Sequence, residues 1–170
     1  MTPEPLEIRR LTYADLPQVI AIERRAFPTP WSLAMFVLEL SKPSGICLAA
    51  LRGGHIVGYL VCSRYETVWH VMNVAVDDRL RREGIASALL GQLFAQADEP
   101  GEQYTLEVRA SNTPAMALYE GLGFRHAGMR RGYYHDNQED AVIMWRVVEG
   151  GADGHEWVPD DQRVARRSGA

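Results

Sequence analysis

Two apolar runs, residues 46–52 (ICLAALR) and 55–63 (HIVGYLVCS), are separated by nothing but Gly53 and Gly54. A two-residue hairpin loop needs positive φ at its central positions, which glycine adopts without a steric penalty. The two runs must therefore lie side by side as antiparallel strands. A third apolar run, residues 67–76 (TVWHVMNVAV), follows closely and reads as the next strand. This arrangement commits the middle of the chain to a sheet.

Helical spacing flanks the sheet. Leu16, Val19, Ile20, Glu23 and Phe27 recur at roughly 3.6-residue intervals after Thr12 and Asp15, which have capping-box spacing. After the break PTPW, Ser32 is placed to cap a second helix carrying Leu33, Phe36, Val37 and Leu40, and KPSG ends it. Beyond the third strand come a helix over 84–97, a strand over 103–109, a helix over 113–123 and two closing strands over 124–131 and 139–148. Such alternation predicts a mixed α/β fold with helices covering a central sheet. With 46% hydrophobic residues in 170, residues 1–148 are expected to form one domain. Residues 149–170, rich in glycine and charge, are expected to be a flexible tail, although Trp157 is an unusual residue for one.

Several functional classes are disfavoured. A net charge of −4 argues against a dedicated nucleic-acid binder. No apolar run reaches membrane-spanning length and MTPEPLEIRR lacks a signal-peptide core, so a cytoplasmic protein with no membrane partner is expected. Cys47 and Cys62 sit inside strand-like runs without CxxC spacing, so they read as reduced core thiols. The five histidines match no ligand pattern, and no metal is expected.

Positive charge is nevertheless concentrated at one place. Arg79, Arg81 and Arg82 precede Glu83 and Gly84 where the third strand gives way to a helix opening with Ile85, Ala86 and Ser87. A helix start presents unpaired N–H groups and a partial positive charge, which suit a phosphate. Charge alone leaves a solvated arginine turn equally open. GxxxxGK[ST] and GxGxxG are both absent, so neither a P-loop nor a dinucleotide fingerprint accounts for it.

VMNVAVDDRLR followed by RREGIA resembles the acetyl-CoA signature of the GCN5-related N-acetyltransferase (GNAT) superfamily, [RQ]xxGx[GA], matched by Arg81, Gly84 and Ala86. LEVRASNTPAMALYEGLGF resembles that superfamily's second cofactor segment, and RRGYYHDNQEDAVIM the terminal hairpin of its ribosomal-protein alanine N-acetyltransferases, the RimI type. The resemblance spans about residues 6–148. It implies one mixed, mostly antiparallel sheet splayed in the middle, with helices on both faces and acetyl-CoA as co-substrate. It further implies that Arg81, Arg82, Glu83, Gly84, Ile85, Ala86 and Ser87 form the pyrophosphate cradle. A backbone N–H of a bulged strand around Val74, Ala75 and Val76 would polarise the thioester, and Asn112 would contact the cofactor.

Alternation along YTLEVRA places Glu107 opposite Leu106 and Val108, on one face with Thr105 and Arg109. A partly desolvated carboxylate there suits proton acceptance from an amine, and pairing with an arginine is the plain structural alternative. The resemblance implies that Glu107 is the general base. Tyr119, on the last helix beside Ala115, Leu118 and Leu122, reads equally as a core aromatic; the resemblance makes it the acid that protonates the departing thiolate. The acceptor is implied to pass between FPTPWS and GYYHDNQED, with Trp31, Tyr133 and Tyr134 as walls and Thr29-Pro30 as a departure from the shorter FPW form. The implied acceptor is a protein amino terminus, foremost the alanine of a small-subunit ribosomal protein. Acetylation of a lysine, polyamine or drug amine is a second reading, for which Asp136, Glu139 and Asp140 supply acidic residues. A catalytically silent acyl-CoA-binding module is a third.

Overall fold

The computed structural model describes residues 4–149, so all but the first residue of the expected tail, Trp157 included, lies outside the described residues. The chain divides into two compact units at the Asp98–Glu99 boundary. Among the described residues they hold seven strands and four α-helices, which makes the fold α/β as the periodicities predicted.

In the first unit β1 (Glu7–Arg10), β2 (Ile46–Arg52), β3 (His55–Tyr65) and β4 (Val68–Val76) pair in that order, antiparallel throughout. The β2–β3 hairpin closes as its glycines require: Arg52 faces His55, and Gly53 and Gly54 have φ of 56° and 76°. β1 was not anticipated. Its four residues, EIRR, carry no clean alternation and none is buried, so they leave no periodic signal; the strand exists because it completes the edge of β2.

Two-residue alternation sends the sheet's side chains to two different helical layers. Ala49, Leu51, Tyr59 and Val61 face α1 (Leu16–Ala26), joining Val19, Ile22 and Phe36 of α2 (Leu33–Ser41) in one buried cluster. Gly58 points the other way, toward α3 (Ile85–Ala97): a Cβ there would lie 3.1 Å from Ile85 and 3.4 Å from Leu89. Helices thus cover both faces of this sheet. The capping box forms at the entrance to α1, with Asp15 accepting from the Thr12 N–H at 2.8 Å, and Ser32 caps α2 through the Met35 N–H at 3.3 Å.

The second unit contains β5 (Gln103–Arg109), α4 (Thr113–Gly121), β6 (Arg125–Arg130) and β7 (Ala141–Val147). β7 pairs antiparallel with β5 on one side and β6 on the other. Asn112 caps α4, its Oδ1 accepting the Ala115 N–H at 3.3 Å, and Pro114 occupies the first turn where no N–H is needed.

Candidate active site

The first unit supplies the junction between β4 and α3. Asp77 follows the strand and caps a 3-10 turn over Asp78–Leu80 by accepting the Arg79 N–H at 3.1 Å. The Arg79 guanidinium folds back onto the same carboxylate at 3.0 and 3.2 Å. That bond, opposed by burial, holds Asp77 at about 2, so most of the Arg79 charge is answered locally. Glu83 is likewise engaged, reaching Arg52 of β2 at 2.9 Å. Arg81, Arg82 and Gly84 are exposed.

Arg82 and Gly84 both take positive φ, 68° and 76°, and such a backbone turns successive N–H groups toward one side. No side chain caps the start of α3, and a Cβ at Gly84 would meet nothing within 4 Å. An uncapped helix start beneath open space is the geometry of an anion cradle. Ile85 belongs to the core, 1% exposed, so its contribution to a cradle is restricted to its N–H; Ala86 and Ser87 are half-buried.

β4 does carry a bulge, displaced from the expected stretch. The register passes from Val61↔Asn73 to Cys62↔Val71, leaving Met72 as the extra residue, two positions before Val74. Toward β3, Val74, Ala75 and Val76 are in regular register with Leu60, Tyr59 and Gly58. Trp31 is half-buried, its ring 5.2 Å from that of Phe36. Its backbone N–H donates to Glu23 at 3.1 Å.

The second unit gathers Glu107, Tyr133, Tyr134 and Arg130. Glu107 lies on the face opposite Leu106 and Val108, both buried, as alternation requires. Arg130 Nε approaches Glu107 Oε1 to 2.8 Å, an ion pair without the alignment of a hydrogen bond. The Tyr133 phenol bonds to the same carboxylate; burial first, then this bond, pushes Tyr133 up to about 12. Tyr133 stands edge-on to Tyr134 at 5.2 Å, and the Arg109 guanidinium sits 3.9 Å above the Tyr134 ring. The arginine pairing anticipated as the plain alternative for Glu107 therefore exists, on the hairpin whose tyrosines were expected to wall the acceptor.

Arg109 also organises the loop of that hairpin. It pairs with Asp136 at 3.1 Å and Glu139 at 3.4 Å, while Glu139 accepts the Ser111 N–H at 2.7 Å and Asp140 the Gly132 N–H at 2.8 Å. The acidic residues that would serve a polycationic acceptor are thus already engaged, Asp136 and Glu139 by Arg109 of β5 and Asp140 within the hairpin. Tyr119 is half-buried with its ring 5.9 Å from Phe124; burial and then the neighbouring Tyr134 phenol raise it to about 12, so it remains protonated at neutral pH.

The partnerships of Arg130, Arg109, Glu23 and Asn73 carry no sequence signal, since each residue meets a partner far away along the chain. Both cysteines are free thiols, and burial pushes Cys47 up to about 11 and Cys62 further, which opposes thiolate nucleophile chemistry. Among the described residues no helix is long and apolar enough to cross a membrane.

The family model for the acetyltransferase (GNAT) family matches residues 16–124 of this α/β chain. The chain belongs to that family. It is 36% identical over 140 residues to the [ribosomal protein bS18]-alanine N-acetyltransferase of Escherichia coli K12, covering 81% of this chain and 94% of that one. The crystal structure of the ribosomal-protein-S18-alanine N-acetyltransferase from Escherichia coli superposes with a TM-score of 0.80 at 33% identity, covering 90% of this chain and 100% of that chain. Arabidopsis thaliana NAA60 in complex with acetyl-CoA shares the fold, with a TM-score of 0.76 at 19% identity, covering 85% of this chain and 100% of that chain.

Proposed function

We propose that the protein is an acetyl-CoA-dependent Nα-acetyltransferase whose acceptor is the alanine-starting amino terminus of a small-subunit ribosomal protein. One observation carries the acceptor side: Glu107 is held by Tyr133 and faced by Arg130 of the terminal hairpin, in a chain 36% identical to an enzyme named for that acceptor. The cofactor side rests on the cradle. The first-turn amides of α3, Gly84 and the exposed Arg81 and Arg82 would bind the pyrophosphate, Val74–Val76 would offer a backbone N–H to the thioester oxygen, and Asn112 would contact the pantetheine chain.

Acetyl-CoA supplies an activated acyl group. The chain's own residues then manage two protons. The acceptor enters as the neutral amine, and as its nitrogen adds to the thioester carbonyl Glu107 takes one N–H proton from it, directly or through water, so that the nitrogen is left neutral. The tetrahedral species collapses by C–S cleavage as Tyr119 gives its proton to the sulfur. No covalent enzyme intermediate is required, in keeping with the raised thiols. A polyamine or drug amine is a poorer acceptor, because Asp136 and Glu139 are already paired with Arg109 and Asp140 with the Gly132 N–H. A silent binding module would need the cradle but not Glu107 and Tyr119.

Coenzyme A release measured with an alanine-starting peptide, a lysine peptide blocked at its amino terminus, and spermidine tests the reading. Turnover confined to the first supports it; preference for either of the others, or no turnover despite acetyl-CoA binding, overturns it.

A further inference from the structure

Glu23 is 1% exposed and lies outside the chemistry assigned above. Its Oε1 accepts the Trp31 N–H at 3.1 Å and the Asn73 amide at 3.1 Å; its Oε2 accepts the same amide at 2.9 Å and the Tyr59 hydroxyl. These partners come from the loop before α2, from β3 and from β4. A buried carboxylate is costly unless its lone pairs are filled, and apolar residues of like volume would stabilise such a core at least as well. What a carboxylate adds is direction: it fixes several donors in one geometry.

The donors it fixes are the informative part. The loop 27–32 contains Pro28 and Pro30, which have no N–H, so the Trp31 N–H is a rare point at which its backbone can be tied down. Asn73 directly follows the bulged Met72 and precedes Val74–Val76. One side chain therefore joins the loop expected to meet the acceptor to the strand segment expected to meet the thioester. We infer that Glu23 is a positioning residue for the acceptor side of the transfer, holding the Trp31 loop in register with the β4 bulge. The inference rests on the reading of the chain as a peptide amino-terminal acetyltransferase.

Three variants test it by donor–acceptor complementarity. In Glu23→Gln an N–H faces the Asn73 N–H; in Asn73→Asp two carboxylates confront each other; the double variant E23Q/N73D restores one donor, one acceptor and a single charge. E23Q is expected to raise the acceptor-peptide KM about tenfold or more while leaving the acetyl-CoA KM within about twofold. It should also accelerate hydrogen exchange at the Trp31 amide without substrate, and the double variant should return both readouts toward wild type. Equal effects on the two KM values, unchanged exchange at Trp31, or a double variant that regains thermal stability without regaining the acceptor KM would each overturn the role. A wild-type chain that turns over no peptide refutes the functional reading instead, whereas normal peptide turnover by E23Q refutes only the role of Glu23.

Discussion

Gly84 and Gly54 form a matched pair. Both have φ of 76°, and a Cβ at either position meets nothing within 4 Å. An L side chain in the left-handed region costs about 1–2 kcal/mol, so Gly84→Ala and Gly54→Ala should lose similar stability. In a chain of this length that is a drop of roughly 4 °C in Tm for each. Only Gly84 opens onto the uncapped start of α3. Hydrogen bonds to a charged group contribute about 1.5–3 kcal/mol, so a methyl that keeps the pyrophosphate off one first-turn amide should weaken acetyl-CoA about ten- to a hundredfold. Calorimetric acetyl-CoA affinity and thermal melts on both variants separate the effects. Matched Tm losses are expected, with an affinity loss confined to Gly84→Ala, and Gly84→Asn, which relieves backbone strain but keeps a side chain, should recover Tm without recovering affinity. Equal acetyl-CoA affinities for the two alanine variants would refute the cradle.

Glu107→Gln should lower kcat with an alanine-starting peptide by about a hundredfold or more while acetyl-CoA affinity stays within about threefold, as removal of a general base requires; unchanged kcat in steady-state assays would remove Glu107 from that role. Tyr119→Phe should reduce kcat about ten- to a hundredfold throughout neutral pH. Because Tyr119 is raised to about 12, the wild-type kcat profile should show no alkaline loss from this group below about pH 10. Asp15 tests the first unit's stability: bonds from Arg9 and Thr12 outweigh burial and lower it from 3.8 to about 2. Its depressed value means that its stabilisation is complete above about pH 4 and lost as pH falls toward 2. Discounted for the partly exposed Arg9, this is about 1–2 kcal/mol. Asp15→Asn should lower Tm near pH 7 and flatten the Tm decline between pH 4 and pH 2.

The features legible in the sequence share a local cause. A two-glycine loop, a capping box at Thr12 and Asp15, a Ser32 cap and two-residue alternation around Glu107 each depend on residues a few positions apart, and each formed as read. β1 was illegible because an edge strand with no buried residue carries no period. The bulge at Met72 was placed too far along β4 because a register slip arises from pairing with β3, not from the slipped residues themselves. Charge was legible as composition but not as partnership: Arg79 and Glu83 looked free until Asp77 and Arg52 were seen to answer them. Likewise, Glu107 could be placed on a face, yet its meeting with Arg130 and Tyr133 depends on three strands and a hairpin brought together by β7. The Glu23 network, spread over residues 23, 31, 59 and 73, has no sequence signature at all.

On the proposed function, this chain moves an acetyl group from acetyl-CoA to the α-amine of an alanine-starting ribosomal protein. Intact-mass measurement of that unmodified protein after incubation with the purified chain and acetyl-CoA, followed by fragmentation to place the added group, tests it most directly. One acetyl group gained on the amino-terminal alanine is expected, at a rate that Glu107→Gln lowers about a hundredfold or more. No gain, or a gain on lysine side chains with the amino terminus left free, would contradict it.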